Sequence, residues 1–240
     1  MSRLKILISN DDGIQAEGIA RLAAAAAQFG DVWVAAPQSQ CSGMSQKLTI
    51  FGEIAVERTA FPAPVQEAWA VGGTPADCVQ TAIHTLMPER PAIVFSGINF
   101  GYNAGFDIAY SGTMGAALEA VMNGIPAIAF SKFEGGSWQT AEQYLPHIIE
   151  TLLQKPLGLG EIWNVNFPGC EAAECRGSLF DRTIAHCRFY QNVYTPSADG
   201  ASLQIGKSRP GPEQCGPDSD IRALLDGYIS IGTVKSPLFE

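Results

Sequence analysis

Leu4-Lys5-Ile6-Leu7-Ile8-Ser9, running straight into Asn10-Asp11-Asp12-Gly13, is the stretch that sets the fold. A short, nearly continuous apolar run closed by a turn-forming Asx-Gly cluster reads as a buried strand. Glu17 to Phe29 follows with helical spacing of its apolar residues, a high alanine content and Gly30 as a stop. Asp31 to Ala36 (DVWVAA) is a second buried strand, ended by Pro37. Strand, helix and strand in this order predict two parallel neighbours joined by a right-handed crossover.

The alternation continues along the chain. Trp69 to Val71 reads as a strand, Pro75 to Leu86 as a helix with Thr74 as N-cap, and Ala92 to Ser96 as a strand. Thr113 to Asn123 is a helix stopped by Gly124, Pro126 to Ser131 a strand, Thr140 to Leu153 a helix and Ile162 to Phe167 a strand. Apolar strands alternating with helices predict an α/β fold, a mostly parallel sheet covered by helices on both faces. Beyond Pro168 the pattern changes. Gly/Pro-rich breaks at Thr195 to Ser202 and Ser208 to Pro217, an alternating run at Thr183 to Tyr190 and a last strand at Tyr228 to Gly232 predict β-hairpins added to the core. Ser45 to Arg58 likewise predicts a small inserted hairpin. The expectation is one domain over residues 1–240, with a core to 168 and a hairpin-rich extension from 169 to 240.

Composition bounds the function. In 240 residues, 46% are hydrophobic and 16% charged, which excludes a disordered or coiled-coil chain. The longest apolar helical stretch, Ile19 to Phe29, is broken by Arg21 and Gln28, so no membrane span is expected. No export signal is visible in MSRLKILISN, and six cysteines without a CxxC pair read as reduced thiols, an expectation of cytoplasmic residence. A net charge of −9 argues against binding a nucleic-acid duplex, which needs clustered Lys and Arg. A protein this acidic that handles phosphate needs a cation, backbone N–H groups or hydroxyls.

Four polar segments fall near strand ends, where open α/β sheets bind ligands. Asp11 and Asp12 follow the first strand. They suit a hard divalent cation if the Asp12-Gly13 turn redirects the second carboxylate, and otherwise form a turn that caps the next helix. Ser96-Gly-Ile-Asn-Phe-Gly-Tyr-Asn103 offers close backbone approach and neutral oxygen ligands, without the Lys of a Walker loop or the spacing of a dinucleotide fingerprint. Tyr110-Ser-Gly-Thr113 opens a helix, as an anion site or as plain caps. Ser42 sits in the polar loop after the second strand.

Ile6 to Gly13, Ala36-Pro37 with Ser42-Gly43, Gly73-Thr-Pro-Ala-Asp-Cys78, Ser96 to Asn103, Tyr110 to Thr113 and Asp226-Gly-Tyr-Ile-Ser-Ile231, in this order, resemble the SurE family of metal-dependent nucleotidases. The resemblance implies a Rossmann-like fold, one Mg²⁺ or Mn²⁺ per subunit, and hydrolysis of nucleoside 5′- or 3′-monophosphates, with a metal-activated water as the expected nucleophile. It places the metal ligands on Asp11, Asp12, Ser42 and Asn99, the phosphate contacts on Asn10, Asn103, Ser111, Gly112 and Thr113, and catalysis on Asp11, Asp12 and Asn99. It also implies homodimers or homotetramers with exchanged C-terminal segments. Gln38-Ser39-Gln40-Cys41 departs from the pattern, which usually carries Asp and Arg in this loop. Two rivals stand beside this reading: Asp11 as a covalent nucleophile, disfavoured because the acids are adjacent rather than two residues apart, and a non-catalytic nucleotide-binding module.

Overall fold

The computed structural model describes residues 3–239. Strand β1 (Leu4–Ser9) is followed by helix α1 (Glu17–Ala26) and strand β2 (Gly30–Pro37). The helix ends three residues before the expected Phe29, and Gly30 opens β2 instead of merely stopping α1. β3 (Val56–Arg58) and β4 (Glu67–Val71) lead to α2 (Pro75–Thr81), which runs on through a π-helical turn at Ala82–Leu86. The Thr74 hydroxyl accepts from the Asp77 N–H while the Asp77 carboxylate accepts from the Thr74 N–H, a reciprocal cap that fixes where α2 starts.

β5 (Ile93–Phe100), α3 (Gly112–Met122), β6 (Ala127–Lys132), α4 (Gln139–Leu153) and β7 (Glu161–Phe167) complete the alternating core. The nine-stranded sheet has the order β3-β4-β2-β1-β5-β6-β7-β11-β8, in which β8 (Ser178–Leu179) and β11 (Ile229–Lys235) come from the C-terminal extension. The six strands from β4 to β7 are parallel; β3 and β11 run against them. Taken in chain order, those six are arranged 3-2-1-4-5-6. The strand order therefore reverses between β1 and β5, where a crevice opens at the carboxyl ends.

Alternation along the strands divides the core. Ile6 and Ile8 face the layer with Ile19 and Leu22 of α1 and Leu145 and Ile149 of α4. Leu7 faces the opposite layer with Val79 of α2 and Met114 and Ala117 of α3. A third apolar cluster packs Tyr102 and Ala104, from the loop after β5, against Ala185, Phe189, Ile221 and Leu224 of the extension. That cluster seats the extension against the rim of the sheet.

Two expectations fail locally. Residues 45–55 form turns and irregular chain, and only Val56–Arg58 is a strand, paired with β4 rather than within its own segment. The loop is instead held through side chains, with Thr49 on Asp77 and the Thr74 hydroxyl on the Lys47 carbonyl. Thr183 to Tyr190 contains no strand; its apolar residues serve the third cluster. The hairpin of the extension lies further on, where β9 (Gln191–Pro196) pairs with β10 (Leu203–Ser208) across the break expected at Thr195 to Ser202. Helix α5 (Asp220–Leu225) precedes β11.

Candidate active site

β1 ends at Ser9, and the next four residues turn sharply. The Asn10 side chain closes that turn with both ends, Nδ2 donating to the Gly13 carbonyl and Oδ1 accepting from the Gly13 N–H, at 3.0 and 3.2 Å. Gly13 sits at φ +100°, a conformation that residues with a Cβ rarely adopt. The turn sends the two carboxylates to different partners. Asp11, only 3% exposed, accepts from the Thr113 hydroxyl at 2.5 Å. Asp12 accepts from the Phe100 N–H at 2.9 Å and from Gln40 Nε2 at 3.4 Å.

α3 points its first turn at Asp11. Ser111 caps the helix by accepting from the Met114 N–H at 3.1 Å. Gly112 lies so close that a Cβ there would come within 2.8 Å of the Asp11 Cβ. The free N–H groups at this end favour a carboxylate, and Thr113 directs its hydroxyl to the same side chain. Thus the anion that Thr113 holds within the structure is Asp11.

β5 supplies the opposite wall. Its pairing with β6 shifts register between Ser96 and Asn99, which carries Asn99 and Phe100 out over the end of β1. Asn99 donates from Nδ2 to the Gly101 carbonyl at 2.8 Å, leaving Oδ1 as its acceptor. Asn103 is buried and tied on three sides: Nδ2 donates to the Ser131 hydroxyl, its N–H donates to Asn166 Oδ1, and its carbonyl accepts from Asn164 and Asn166. The loop after β2 brings Ser42 in, with Gln40 Nε2 donating to its hydroxyl at 3.1 Å.

These segments converge on a cavity of about 830 Å³. Asp11, Ser42, Asn99, Asn103 and Ser111 line it. Asp12 joins Ser42 through Gln40 and reaches the β5 wall through Phe100, whereas Asn10, Gly112 and Thr113 stand behind Asp11 and shape it from the rear. The extension adds Arg188, Tyr190 and Lys207, which the motifs did not reveal. Arg188 stacks on Tyr110, 4.6 Å from its ring, and donates to the Tyr110 hydroxyl. Asn164 and Asn166 were also missed. Their signal was visible as two asparagines two residues apart, on one face of the otherwise apolar strand EIWNVNF.

Electrostatics favours a cation here. Burial pushes the Asp11 carboxyl up to about 6, the Thr113 hydrogen bond opposes it, and the neighbouring Asp12 raises it further. Asp12 is also raised, mainly by burial. Among the described residues, neither carboxylate has a Lys, Arg or His partner within salt-bridge distance. Nor does any group of three His, Cys, Asp or Glu residues come together as a metal cluster. The donors are two carboxylates, a hydroxyl and an amide oxygen, a set that fits a hard, loosely held divalent ion and not zinc.

The model of the family described as Survival protein SurE matches residues 6–194. The chain belongs to the SurE family. It is 39% identical over 243 residues to the 5′-nucleotidase SurE of Synechococcus sp. (strain JA-3-3Ab), covering 98% of this chain and 93% of that one. The 5′/3′-nucleotidase SurE of Proteus mirabilis (strain HI4320) is 39% identical over 229 residues, 95% of this chain and 88% of the relative. The crystal structure of the SurE protein from Aquifex aeolicus superposes with a TM-score of 0.83 at 31% identity, covering 96% of this chain and 93% of the other. Within this SurE chain, Gln40 occupies the loop that departs from the usual charged pattern, and it spends its amide on Asp12 and Ser42.

Proposed function

We propose that this SurE-family chain is a phosphoric monoester hydrolase, a nucleotidase releasing phosphate from nucleoside 5′- and 3′-monophosphates with the help of one Mg²⁺ or Mn²⁺ per subunit. The observation that carries the reading is the cavity at the β1/β5 crevice, where Asp11, with Asp12 next to it in the chain and neither in a salt bridge, meets the neutral oxygen ligands of Ser42 and Asn99 and the start of a helix. The relatives named as nucleotidases share nearly the whole chain.

Asp11, Asp12, Ser42 and Asn99 would hold the cation. When bound, it supplies Lewis acidity, drawing charge from a phosphate oxygen and acidifying water. The rest falls to the chain. Thr113 keeps Asp11 ionised and aimed, Gln40 and the Phe100 N–H fix Asp12, and Ser111 at the mouth of α3 offers an uncharged contact for the phosphate oxygens, with Asn103 beside it. Such a site tolerates a net charge of −9 because it needs no basic patch.

A two-stranded sheet standing apart from the main one supports assembly into dimers or tetramers. β9–β10 exposes Val193, Tyr194, Leu203 and Ile205, and an isolated hairpin of this kind is marginal in water without something to cover it. A second copy, exchanging its extension, is the cover we assign. No helix among the described residues is long and apolar enough to cross a membrane, and all six cysteines are unbridged, which suits a cytoplasmic setting.

The test is phosphate release from a panel of nucleoside monophosphates with Mg²⁺ or Mn²⁺, with and without EDTA. Asp12→Asn is expected to keep the fold and lose at least about 100-fold in kcat, since one ligand and its charge vanish. Wild-type rates in that variant, or full activity in EDTA, would sink the metal assignment. Tight nucleotide binding without turnover in the wild type would point to the non-catalytic alternative.

A further inference from the structure

Phe100 is the feature that the reaction leaves unexplained. It is a large apolar side chain, 54% exposed, that lines the cavity beside Asn99. Its backbone already has a task, the N–H on Asp12, which any residue but proline would perform. The ring needs another reason.

That reason lies beneath it. Lys132 is the cross-strand partner of Phe100 at the end of β6, and the Gly101 N–H closes the pair on the Lys132 carbonyl. The lysine is 1% exposed. Its ammonium donates to the Phe133 and Gly136 carbonyls, each at 2.6 Å, and sits 4.8 Å from the ring centroids of both Phe100 and Trp138. A buried cation clamped by two carbonyls cannot wander, so the ring resting on it is held in place. The ring so held is half-exposed and lines the same cavity as Asp11, Ser42 and Asn99.

We infer that Phe100 is the stacking platform for the nucleobase, braced from behind by Lys132, and that this pair supplies specificity for nucleotides over base-free sugar phosphates. The inference rests on the nucleotidase reading and deepens it. Aromatic faces accept every base, so the platform gives affinity for the class and not for one base. Lys132 is a positioning residue: it acts through the ring.

Adenosine 5′-monophosphate and ribose 5-phosphate differ only in the base, so the comparison isolates the ring. KM is measured for both with Mg²⁺ present, and Kd by calorimetry, in wild type, Phe100→Ala, Phe100→Trp and Lys132→Met. Phe100→Ala is expected to raise KM and Kd for the nucleotide about five- to 100-fold, and those for ribose 5-phosphate by much less. Phe100→Trp restores the wild-type ratio of the two substrates, and Lys132→Met shifts it in the same direction as the alanine variant. Equal changes for both substrates, or no change for the nucleotide, overturn the platform. A wild type that binds the nucleotide without releasing phosphate counts against the nucleotidase reading, while the ratio of binding constants still judges the ring. Binding of neither substrate overturns both.

Discussion

The Thr113 hydroxyl donates to Asp11 Oδ1 at 2.5 Å, joining two residues 102 positions apart in the chain. It is the bond that ties the end of β1 to the start of α3. Removing the hydroxyl leaves a buried carboxylate with one donor fewer. Thr113→Val is therefore expected to cost about 1.5–3 kcal/mol of interaction at the site, which corresponds to about 10- to 100-fold in kcat/KM. Burial already lifts Asp11 to about 6 in the metal-free protein, and losing the opposing bond lifts it further, so protons compete with Mg²⁺ for this carboxylate from a higher pH and the fall of apparent Mg²⁺ affinity in acid begins earlier. Thr113→Ser, which keeps the hydroxyl, stays near wild type. A pH dependence of Mg²⁺ affinity that does not move in the valine variant would show that the bond does not control Asp11.

Gly112 leaves no room for a methyl group. A Cβ there meets the Asp11 Cβ at 2.8 Å and Asp11 Oδ2 at 3.1 Å. Gly112→Ala is expected to push Asp11 off its place, costing about 1–3 kcal/mol in urea denaturation and most of the activity. Full activity with unchanged stability would mean that α3 can withdraw freely.

Gln40 is the amide that couples Asp12 to Ser42. Gln40→Ala frees both ligands without changing charge. The expected result is an apparent affinity for Mg²⁺ weaker by about 10-fold, the lower end of the roughly 10- to 100-fold range seen for groups that orient metal ligands, with kcat at saturating cation little altered. Titration of activity with Mg²⁺ reads this directly, and an unchanged curve counts against the coupling.

Asp77 fixes the loop downstream of Ser42. Burial alone would raise its carboxyl, but the N–H groups of Thr49 and Thr74 and the Thr49 hydroxyl outweigh it and hold the group below its ordinary value. A depressed carboxylate stabilises the fold above the ordinary carboxylate range and loses that contribution as pH falls through the depressed value. Asp77→Asn should lower Tm at neutral pH by removing a partner of several donors, and the gap to wild type should close in acid. A gap that stays constant down to the acid limit would contradict the assignment.

The parallel core is legible in the sequence alone. Its strands are buried on both faces, so each is a short apolar run; α1 and α4 are marked by periodicity, and α2 and α3 by the caps Thr74 and Ser111. Placement of Asp11 just past the end of β1, Asn99 near the end of β5 and Ser42 in the loop after β2 followed from the same alternation. The segments that misled were those whose apolar residues serve distant partners. Thr183 to Tyr190 alternates like a strand, yet Ala185 and Phe189 are buried against Tyr102 and Ala104. Residues 45–55 are secured by side-chain hydrogen bonds to α2, which no local pattern encodes.

Sequence by itself determined the α/β core, the order of its elements and the chemical types available to the site, because period and capping are local properties of the chain. Only the tertiary structure decided how those types are used. It turned Asn10 inward to close the β1 turn, gave Thr113 to Asp11, placed Gln40 between Asp12 and Ser42, and set Lys132 under Phe100. Each of these is a contact between segments far apart in sequence or a choice between two faces of a turn. Such choices depend on which groups burial leaves in need of a partner, and that is fixed only when the strands are laid side by side.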